Sequence, residues 1–256
     1  MLLLLDVGNT NTHLGLSDGA RIVKQGSFAS RLWSSAESHK KLVRFVGAVK
    51  VEGASFCSVV PAATTFLKRT LLRMDLPHLE LTHKTCAGVG IDYPKPQKIG
   101  PDRLANSIAA HQLHGAPVVV VDFGTAVTFD VVNKKGFYVG GIIAPGLNVM
   151  TDYLHEKTAL LPRIKIRDTK KVIGRNTREA MLIGAVHGYR GLVLNLLAEL
   201  KSELDTPSLK VVATGGCAEL ISEGIPDIKT VDQSLTLKGL AYLWQAHHGS
   251  SLTNLK

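Results

Sequence analysis

The chain is predicted to be an α/β protein built from two similar halves. Residues 2–16 and 118–132 each run an aliphatic strand into an Asp-x-Gly turn, and a second strand-like segment follows that turn. The two copies lie almost half a chain apart, which is the spacing of a duplicated domain, because solenoid units repeat after roughly 20–50 residues. Hydrophobic residues make up 45% of the chain and glycines number 24, which is typical of an α/β protein with many tight turns. A length of 256 residues suffices for two small domains.

The first half begins with strands and continues with a helix, a strand and a second helix. Residues 1–30 have the pattern of two or three strands. Residues 35–50 place apolar side chains on one helical face, which predicts an amphipathic helix. A short buried strand is predicted over 54–60, and a helix over 62–74.

A long loop precedes the last helix of the first half. Residues 84–101 are rich in glycine and proline, and a loop of this length inside a compact domain is usually functional. Pro101 suits the first position of the helix that follows, and a Gly and a Pro close that helix. We therefore predict one domain over residues 1–116 and a second over residues 117–256.

The second half repeats the strand-rich beginning. A strand over 118–122 is followed by its hairpin partner over 127–132. A helix is predicted to begin at the capping-box sequence of residues 176–179. A further strand runs into a pair of glycines over 211–216, and another helix follows it.

Composition disfavours several classes of function. No apolar run approaches the roughly 18–20 residues that cross a membrane, and the apolar N-terminus lacks the basic residues of a signal peptide. Three widely spaced cysteines without a C-x-x-C pair predict a reducing, cytoplasmic location and neither disulfides nor a zinc site. The net charge of +9 comes from scattered residues without an aromatic platform, so we expect no nucleic-acid partner; a basic surface equally attracts anionic nucleotides and substrates.

The duplicated turns favour binding of a nucleotide together with a cation. Glycines let the backbone approach a ligand and leave N–H groups to point at it, and Asn9, Thr10 and Thr125 add side-chain donors. The carboxylates of Asp6 and Asp122 would repel a bare phosphate, so they require a cation between themselves and it. A single turn of this kind is more often an ordinary hairpin. Two copies, each after an aliphatic strand, favour a metal–nucleotide clamp with one turn from each half.

The ordered set of motifs resembles one family, the type III pantothenate kinases. The motifs are D-x-G-N-T at 6–10, G-x-D-R at 100–103, D-x-G-T at 122–125, G-G-x-I-x-P-G at 140–146 and T-G-G at 214–216. The resemblance covers essentially the whole chain. It implies membership of the acetate kinase, sugar kinase, Hsp70 and actin superfamily, and hence two ribonuclease H-like (actin-like ATPase) domains with a cleft between them.

The resemblance also implies an activity and its cofactors. Members of the family use ATP to phosphorylate pantothenate to 4′-phosphopantothenate, the first step of coenzyme A biosynthesis. They use Mg²⁺ with ATP and a monovalent cation, K⁺ or NH₄⁺. They are homodimers, and the predicted helix over 177–200 is our candidate for the dimer contact, because Gly184, Gly188 and Gly191 lie on roughly one side of it and predict a closely packed neighbour.

The resemblance assigns roles to individual residues by position. Asp102 is the implied proton acceptor, Asp6 helps to hold magnesium, usually through water, and Asp122 is a ligand of the monovalent cation. The implied ATP-binding residues are Asp6, Val7, Gly8, Asn9, Thr10, Asn11, Thr12, His13 and Thr125. The implied pantothenate-binding residues are Tyr93, Gly100, Pro101, Asp102, Arg103 and Thr177. Gly215 and Gly216 resemble the turn on the adenosine side of the site.

Several alternatives remain open at the level of sequence. An Asp in the first helical turn is usually explained by the helix dipole alone, and Arg103 could orient the pantothenate carboxylate or form a surface pair. Phe123 stands where an alanine is common in the family, which could alter packing beside the cation. A regulatory or accessory protein that retains the kinase fold is the main alternative function. A kinase acting on a sugar or on acetate is a second one.

Overall fold

The computed structural model describes residues 1–19 and 21–249. The strands are β1 (Leu2–Val7), β2 (Asn11–Ser17), β3 (Ile22–Ala29), β4 (Gly53–Ser58), β5 (His78–Glu80), β6 (Gly90–Ile91), β7 (Val118–Phe123), β8 (Ala126–Val132), β9 (Phe137–Pro145), β10 (Lys210–Thr214) and β11 (Ile228–Val231). The helices are α1 (Ala36–Val46), α2 (Pro61–Arg73), α3 (Pro101–His114), α4 (Leu147–Lys157), α5 (Thr177–Ile183), α6 (Tyr189–Glu203), α7 (Ala218–Ser222) and α8 (Leu235–His248). Short 3₁₀ helices cover Ser30–Ser34 and Pro96–Lys98, and a π-helical turn over Gly184–Gly188 joins α5 to α6.

The chain forms two compact units. The first unit comprises Met1–Gly115, Lys134–Val139 and the C-terminal stretch from Ser234, and the second comprises Ala116–Asn133 and Gly140–Gln233. The chain therefore returns to the first unit twice. A division into two continuous domains after residue 116 stays a prediction, and residues 250–256 of the predicted second domain lie outside the described residues.

The first unit contains a five-stranded sheet in the order β3-β2-β1-β4-β5. β1 is antiparallel to β2 and parallel to β4, and β4 is parallel to β5. The leucines of β1 are buried on both faces of the strand, as expected for a central strand with layers on both sides. One face packs against α1, α2 and the 3₁₀ helix that carries Trp33.

The other face of this sheet is covered by α3 and α8. A side chain at Gly53 of β4 would collide with the ring of Trp244 of α8, so the helix lies close to the sheet. The two helices also approach each other closely, because a side chain at Gly239 would collide with the carbonyl of Ala105. α3 and α8 therefore lie side by side on this face of the sheet.

The second unit repeats the strand order of the first. Its strands lie in the order β9-β8-β7-β10-β11, with β7 antiparallel to β8 and parallel to β10, and β10 parallel to β11. In both units the first strand of the sheet pairs with the second and the fourth. This equivalence confirms the predicted duplication of an α/β unit. β6 pairs with the first residues of β9, which belong to the first unit.

Most predicted elements are present, and several others had no counterpart in the prediction. The strands and helices predicted over residues 1–74, the helix that begins at Pro101 and the hairpin of the second half all form. The structure adds β5, β6, β9, β11, α4 and α8. These elements lack the sharp start and stop signals of the others, and they form by packing against elements that are distant in sequence.

The sequence predicts no segment that could cross a membrane, but the structure contains one candidate, the helix over Thr177–Glu203. By length and composition alone this helix is long and apolar enough to cross a membrane, and only about a third of its most apolar part is buried in the described structure. A single helix of this kind is weak support for a membrane span. The absence of a membrane partner therefore stays a prediction.

Candidate active site

The first Asp-x-Gly turn presents polar residues at the end of β1. The N–H of Gly8 donates to the carbonyl of Asn11 at 3.0 Å, which closes the turn between β1 and β2. Asn9 and Thr10 are exposed at its tip, and Asp6 is half-buried just before it. This turn is therefore open to a ligand at its tip, as the motif predicts.

Two residues of the predicted ATP-binding segment have their side chains in the core. Val7 is fully buried, and Thr12 is buried with its hydroxyl 3.0 Å from that of Ser30. The indole N–H of Trp33 donates to the same Thr12 hydroxyl at 2.8 Å. The alternation of β1 and β2 turns these two side chains inward, so any contact they make with ATP would come from the backbone. Asn11 and His13 point outward and are exposed, while nearby protein lowers the pKa of His13 by desolvating it.

Asp102 lies in the first turn of α3 with its carboxylate held by the helix backbone. Gly100 precedes the helix, Pro101 occupies its first position, and the N–H of Arg103 donates to Asp102 Oδ1 at 2.9 Å. Burial raises the pKa of Asp102, and this effect outweighs the N–H and the charge of Arg103, which lower it. A raised pKa makes this carboxylate a better proton acceptor than an exposed one.

A buried thiol lies beside Asp6 of the first turn and is influenced by Asp102 as well. Cys57 of β4 is fully buried, and its thiol donates to Asp6 Oδ1 at 3.3 Å. Burial raises the pKa of Cys57 well above its ordinary value, and the charges of Asp6 and Asp102 raise it further. Both carboxylates thus act on the same thiol, which brings two sequence-predicted site residues into one neighbourhood of the first unit.

Tyr93 and Arg103, two of the predicted pantothenate-binding residues, both contact the ring of Tyr138. The rings of Tyr93 and Tyr138 pack edge to face with centroids 6.1 Å apart, and the guanidinium of Arg103 lies 5.8 Å from the Tyr138 ring. Tyr138 is fully buried, so it anchors both residues. No sequence motif points to Tyr138, because its role depends on the pairing of β6 with β9.

A cavity of about 430 Å³ opens beside Tyr93. Its lining residues are Tyr93, Pro94, Lys95 and Lys98. Both lysines are exposed, so the cavity carries positive charge. It lies in the long loop that was predicted to be functional, directly before α3.

The second unit builds its own Asp-x-Gly turn at the end of β7. Gly215, at the end of β10, has a φ of +92°, and a side chain on it would lie 2.5 Å from Asp122 Oδ1. Gly146 approaches the other side of the turn, because its N–H donates to the carbonyl of Thr125 at 3.0 Å. A side chain at Gly146 would collide with the carbonyls of Gly124 and Thr125. Two of the motif glycines are therefore required by the close packing of this turn.

Phe123 does not point at the turn, although it departs from the family pattern. Its side chain is buried and its ring packs 6.4 Å from that of Tyr189. The Tyr189 hydroxyl donates to the carbonyl of Pro145 at 3.2 Å. The larger side chain is accommodated in the core of the second unit.

Thr177 lies at the start of α5 in the second unit and is exposed. Asn176 caps the helix, as predicted, by accepting the N–H of Glu179 at 3.0 Å. The Glu179 carboxylate accepts the N–H of Arg175, one residue before the position that a capping box uses, and it pairs with Lys171. The start of α5 is therefore stabilised by the Asn176 cap and by the contacts of Glu179 with the preceding segment.

Asp6 and Asp122 suit a cation whose other ligands are water molecules and phosphate oxygens. No group of three or more His, Cys, Asp or Glu side chains that could hold a metal ion occurs among residues 1–19 and 21–249. Asp6 and Asp122 are single half-buried carboxylates at strand ends. Mg²⁺ keeps several waters and binds through one or two carboxylates together with substrate phosphates. The residues present therefore fit a cation that arrives with a nucleotide.

Comparisons with known proteins agree with the motifs. A family model described as type III pantothenate kinase matches residues 2–199. The type III pantothenate kinase of Akkermansia muciniphila is 46% identical over 238 residues, which cover 93% of this chain and 96% of that protein. The type III pantothenate kinase of Methylacidiphilum infernorum is 42% identical over 242 residues, which cover 93% of this chain and 86% of that protein.

A solved structure shares the architecture at low sequence identity. The activator of the 2-hydroxyisocaproyl-CoA dehydratase from Clostridium difficile, with bound ADPNP, matches with a TM-score of 0.51 and 11% identity. The match covers 96% of this chain and 94% of that one. Identity this low shows the fold alone, and together with the repeated strand order it confirms the predicted duplicated ribonuclease H-like fold.

Proposed function

Because the chain belongs to the type III pantothenate kinase family, we propose that it transfers the γ-phosphoryl group of ATP to the 4′-hydroxyl of pantothenate, the first step of coenzyme A biosynthesis. The observation that carries the proposal is the carboxylate of Asp102. It has a raised pKa, lies at the start of α3 and shares a thiol neighbour with Asp6 of the phosphate turn.

Asp102 acts as the base for the attacking hydroxyl. The 4′-hydroxyl gives its proton to the Asp102 carboxylate while its oxygen forms a bond to the γ-phosphorus. The bond from that phosphorus to the bridging oxygen breaks, and ADP leaves with that oxygen. Phosphoryl transfer requires in-line positioning and charge neutralisation more than covalent chemistry from the protein. A single well-placed carboxylate is therefore sufficient as the base.

Asp6 and Asp122 would hold the cations. Asp6 would help to hold the magnesium of Mg·ATP, and Asp122 would bind K⁺ or NH₄⁺. When bound, these cations neutralise the charge of the phosphates. Asn9, Thr10 and Thr125 would supply donors to the phosphate oxygens. The exposure of these three residues supports this role.

Pantothenate would bind along the loop that leads into α3. Tyr93 and Arg103, both anchored on Tyr138, would line its path. Thr177 is the remaining pantothenate contact that the family resemblance implies. The positive charge of Lys95 and Lys98 in the adjoining cavity suits the carboxylate end of pantothenate, opposite to the hydroxyl that reacts.

The active form would be a homodimer that packs through the helix over Thr177–Glu203. Apart from the adjoining residues and the backbone of the helix itself, no described atom lies within 4 Å of a Cβ placed at Gly184, Gly188 or Gly191, so residues 1–19 and 21–249 of one chain do not supply the predicted neighbour of these glycines. Each glycine in a helix interior costs about 1 kcal/mol relative to alanine, which a close contact with a second copy would offset. The second unit also exposes large apolar side chains, as interaction surfaces do: Ile143, Tyr153, Leu160, Val172, Ile173 and Leu194.

A cytoplasmic location and the absence of a nucleic-acid partner complete the proposal. Cys57, Cys86 and Cys217 are all free thiols, which suits a reducing compartment.

The decisive experiment is a coupled assay of ADP release with pantothenate as acceptor. The purified protein should release ADP with pantothenate and Mg·ATP, and the rate should rise when K⁺ replaces Na⁺. Matched reactions with acetate and with a hexose test the other kinase classes. Nucleotide binding without turnover on any acceptor would instead support the regulatory alternative, and turnover on acetate or a hexose but not on pantothenate would refute the proposal.

A further inference from the structure

Cys57 is a buried thiol to which the reaction described above gives no role. It lies on β4 beside the central strand β1, and the parallel register pairs it with Asp6. Its thiol donates to Asp6 Oδ1 at 3.3 Å, and the residue has no exposed surface. Its S–H group therefore serves the Asp6 carboxylate as a buried hydrogen-bond donor.

The internal duplication gives the second Asp a comparable neighbour. In the second unit the parallel register of β7 and β10 pairs Asp122 with Thr214. Thr214 is also buried. A side chain with an S–H or O–H group thus stands beside the turn Asp on the neighbouring parallel strand in both units. The pairing is a feature of the repeated fold and not a peculiarity of β4.

We propose that Cys57 is a positioning residue for Asp6, whose carboxylate it fixes in the orientation that holds the water shell of the magnesium in Mg·ATP. The inference rests on the proposed function. The terminal torsion of an Asp side chain is broad, so an immobile donor at one oxygen restricts which way the other oxygen faces. A donor on a central strand of a packed sheet is immobile, because both its neighbours and its backbone are fixed.

The first test compares three single variants by their requirement for Mg²⁺. Cys57→Ala removes the donor, Cys57→Ser retains one, and Ser55→Ala is the matched control. Ser55 lies two residues before Cys57 on the same face of β4 and is buried, and its hydroxyl has no hydrogen-bond partner among the described residues. Cys57→Ala should raise the Mg²⁺ concentration for half-maximal activity about tenfold, since hydrogen bonds to charged groups are worth this much or more. The KM for pantothenate should stay within about twofold, and Cys57→Ser and Ser55→Ala should resemble the wild type.

The second test needs no activity. In a protein that carries Cys86→Ser and Cys217→Ser, the infrared S–H stretch reports Cys57 alone. Its band should lie at lower frequency than that of a free thiol, and Asp6→Ala should move it toward the free position. Calorimetric titration of this protein with a non-hydrolysable ATP analogue and Mg²⁺ should also show weaker binding after Cys57→Ala.

Three outcomes would overturn the inference. An S–H band that Asp6→Ala does not move would mean that the hydrogen bond is absent. A normal Mg²⁺ requirement in Cys57→Ala, despite a shifted band, would mean that the bond does not position Asp6. Equal increases of the Mg²⁺ requirement in Cys57→Ala and Ser55→Ala would mean that the lost packing of a buried side chain, and not the hydrogen bond, causes the increase. If the wild type fails to phosphorylate pantothenate, the proposed function fails, while the infrared and calorimetric results still decide the role of Cys57.

Discussion

The carboxylate of Asp102 folds back toward Gly100, so closely that a Cβ atom at position 100 would lie 2.5 Å from Asp102 Oδ1. Ordinary van der Waals contact requires at least 3.4 Å for such a pair. The oxygen concerned is the one that accepts the N–H of Arg103. Gly100 is therefore the residue that permits this carboxylate to sit on the first turn of α3.

Gly100→Ala should lower kcat about 10²-fold, because displacement of a reacting group by an ångström can cost that much. The kcat is measured by ADP release, with circular dichroism as the check on folding. Asp102→Asn provides the matched background, since Gly100→Ala should add little once the base is gone. Effects that multiply in the double variant would show that Gly100 acts independently of Asp102.

Asp102→Asn should reduce kcat by about 10²–10⁴-fold and leave ATP affinity nearly intact. The amide retains an acceptor for the N–H of Arg103, so the start of α3 should be preserved, but it cannot take the proton of the hydroxyl. Single-turnover kinetics and calorimetric ATP binding measure the two quantities. Near-normal turnover in a folded variant would remove Asp102 from the role of base.

The same variant should become more stable than the wild type as the pH rises. Because burial raises the folded pKa of Asp102 above the ordinary 3.8, the unfolded chain releases this proton first, and the free energy of unfolding falls until the pH passes the folded pKa. Asparagine carries no such titration. The Tm of Asp102→Asn relative to wild type, measured by calorimetry, should therefore increase as the pH rises above about 4. A constant difference over this range would contradict the raised pKa.

Asp122→Ala should abolish the dependence on K⁺ or NH₄⁺ and raise the KM for ATP. The carboxylate lies at the second Asp-x-Gly turn, where the proposed monovalent cation would bind. Initial rates in Na⁺, K⁺ and NH₄⁺ buffers, for wild type and variant at fixed ionic strength, provide the measurement. Equal wild-type rates in Na⁺ and K⁺ would show that the site has no cation role.

Alanine at Gly184, Gly188 or Gly191 should have opposite effects in a monomer and in a dimer. Within one described chain there is space for the methyl group, and alanine favours a helix by about 1 kcal/mol, so an isolated subunit should be stabilised. If a second copy packs on these glycines, the methyl groups should instead weaken self-association. Sedimentation equilibrium and thermal unfolding together distinguish the cases. A variant that is both more stable and equally dimeric would place the contact elsewhere.

Local signals were sufficient to predict the elements that carry the chemistry. The Asp-x-Gly turns follow uninterrupted aliphatic strands, and Pro101 marks the start of α3, so sequence periodicity and turn chemistry located both. The family resemblance then supplied roles. These signals lie within a few residues of each other and do not depend on the rest of the fold.

Features that depend on distant pairings could not be predicted. Cys57 lies beside Asp6 because of the register between the parallel strands β1 and β4, and Arg103 packs on Tyr138, which is distant from it in sequence. Strand pairing also limits what a motif implies. The motif places Thr12 in the predicted ATP-binding segment, but the alternation of side chains along β2 turns its hydroxyl toward Trp33 in the core. A motif identifies a segment, whereas the pairing of strands decides which side chains of that segment face a ligand.

The position of α8 has a consequence for the order in which the newly synthesised protein folds. This helix packs against α3, β1 and β4, yet it is the last described element of the chain. All segments of the second unit leave the ribosome before α8 does. Although N-terminal domains generally fold first during synthesis, here the N-terminal sheet must wait for its C-terminal cover. The nascent enzyme can therefore complete its second unit before α8 takes its place beside α3 on the sheet of the first.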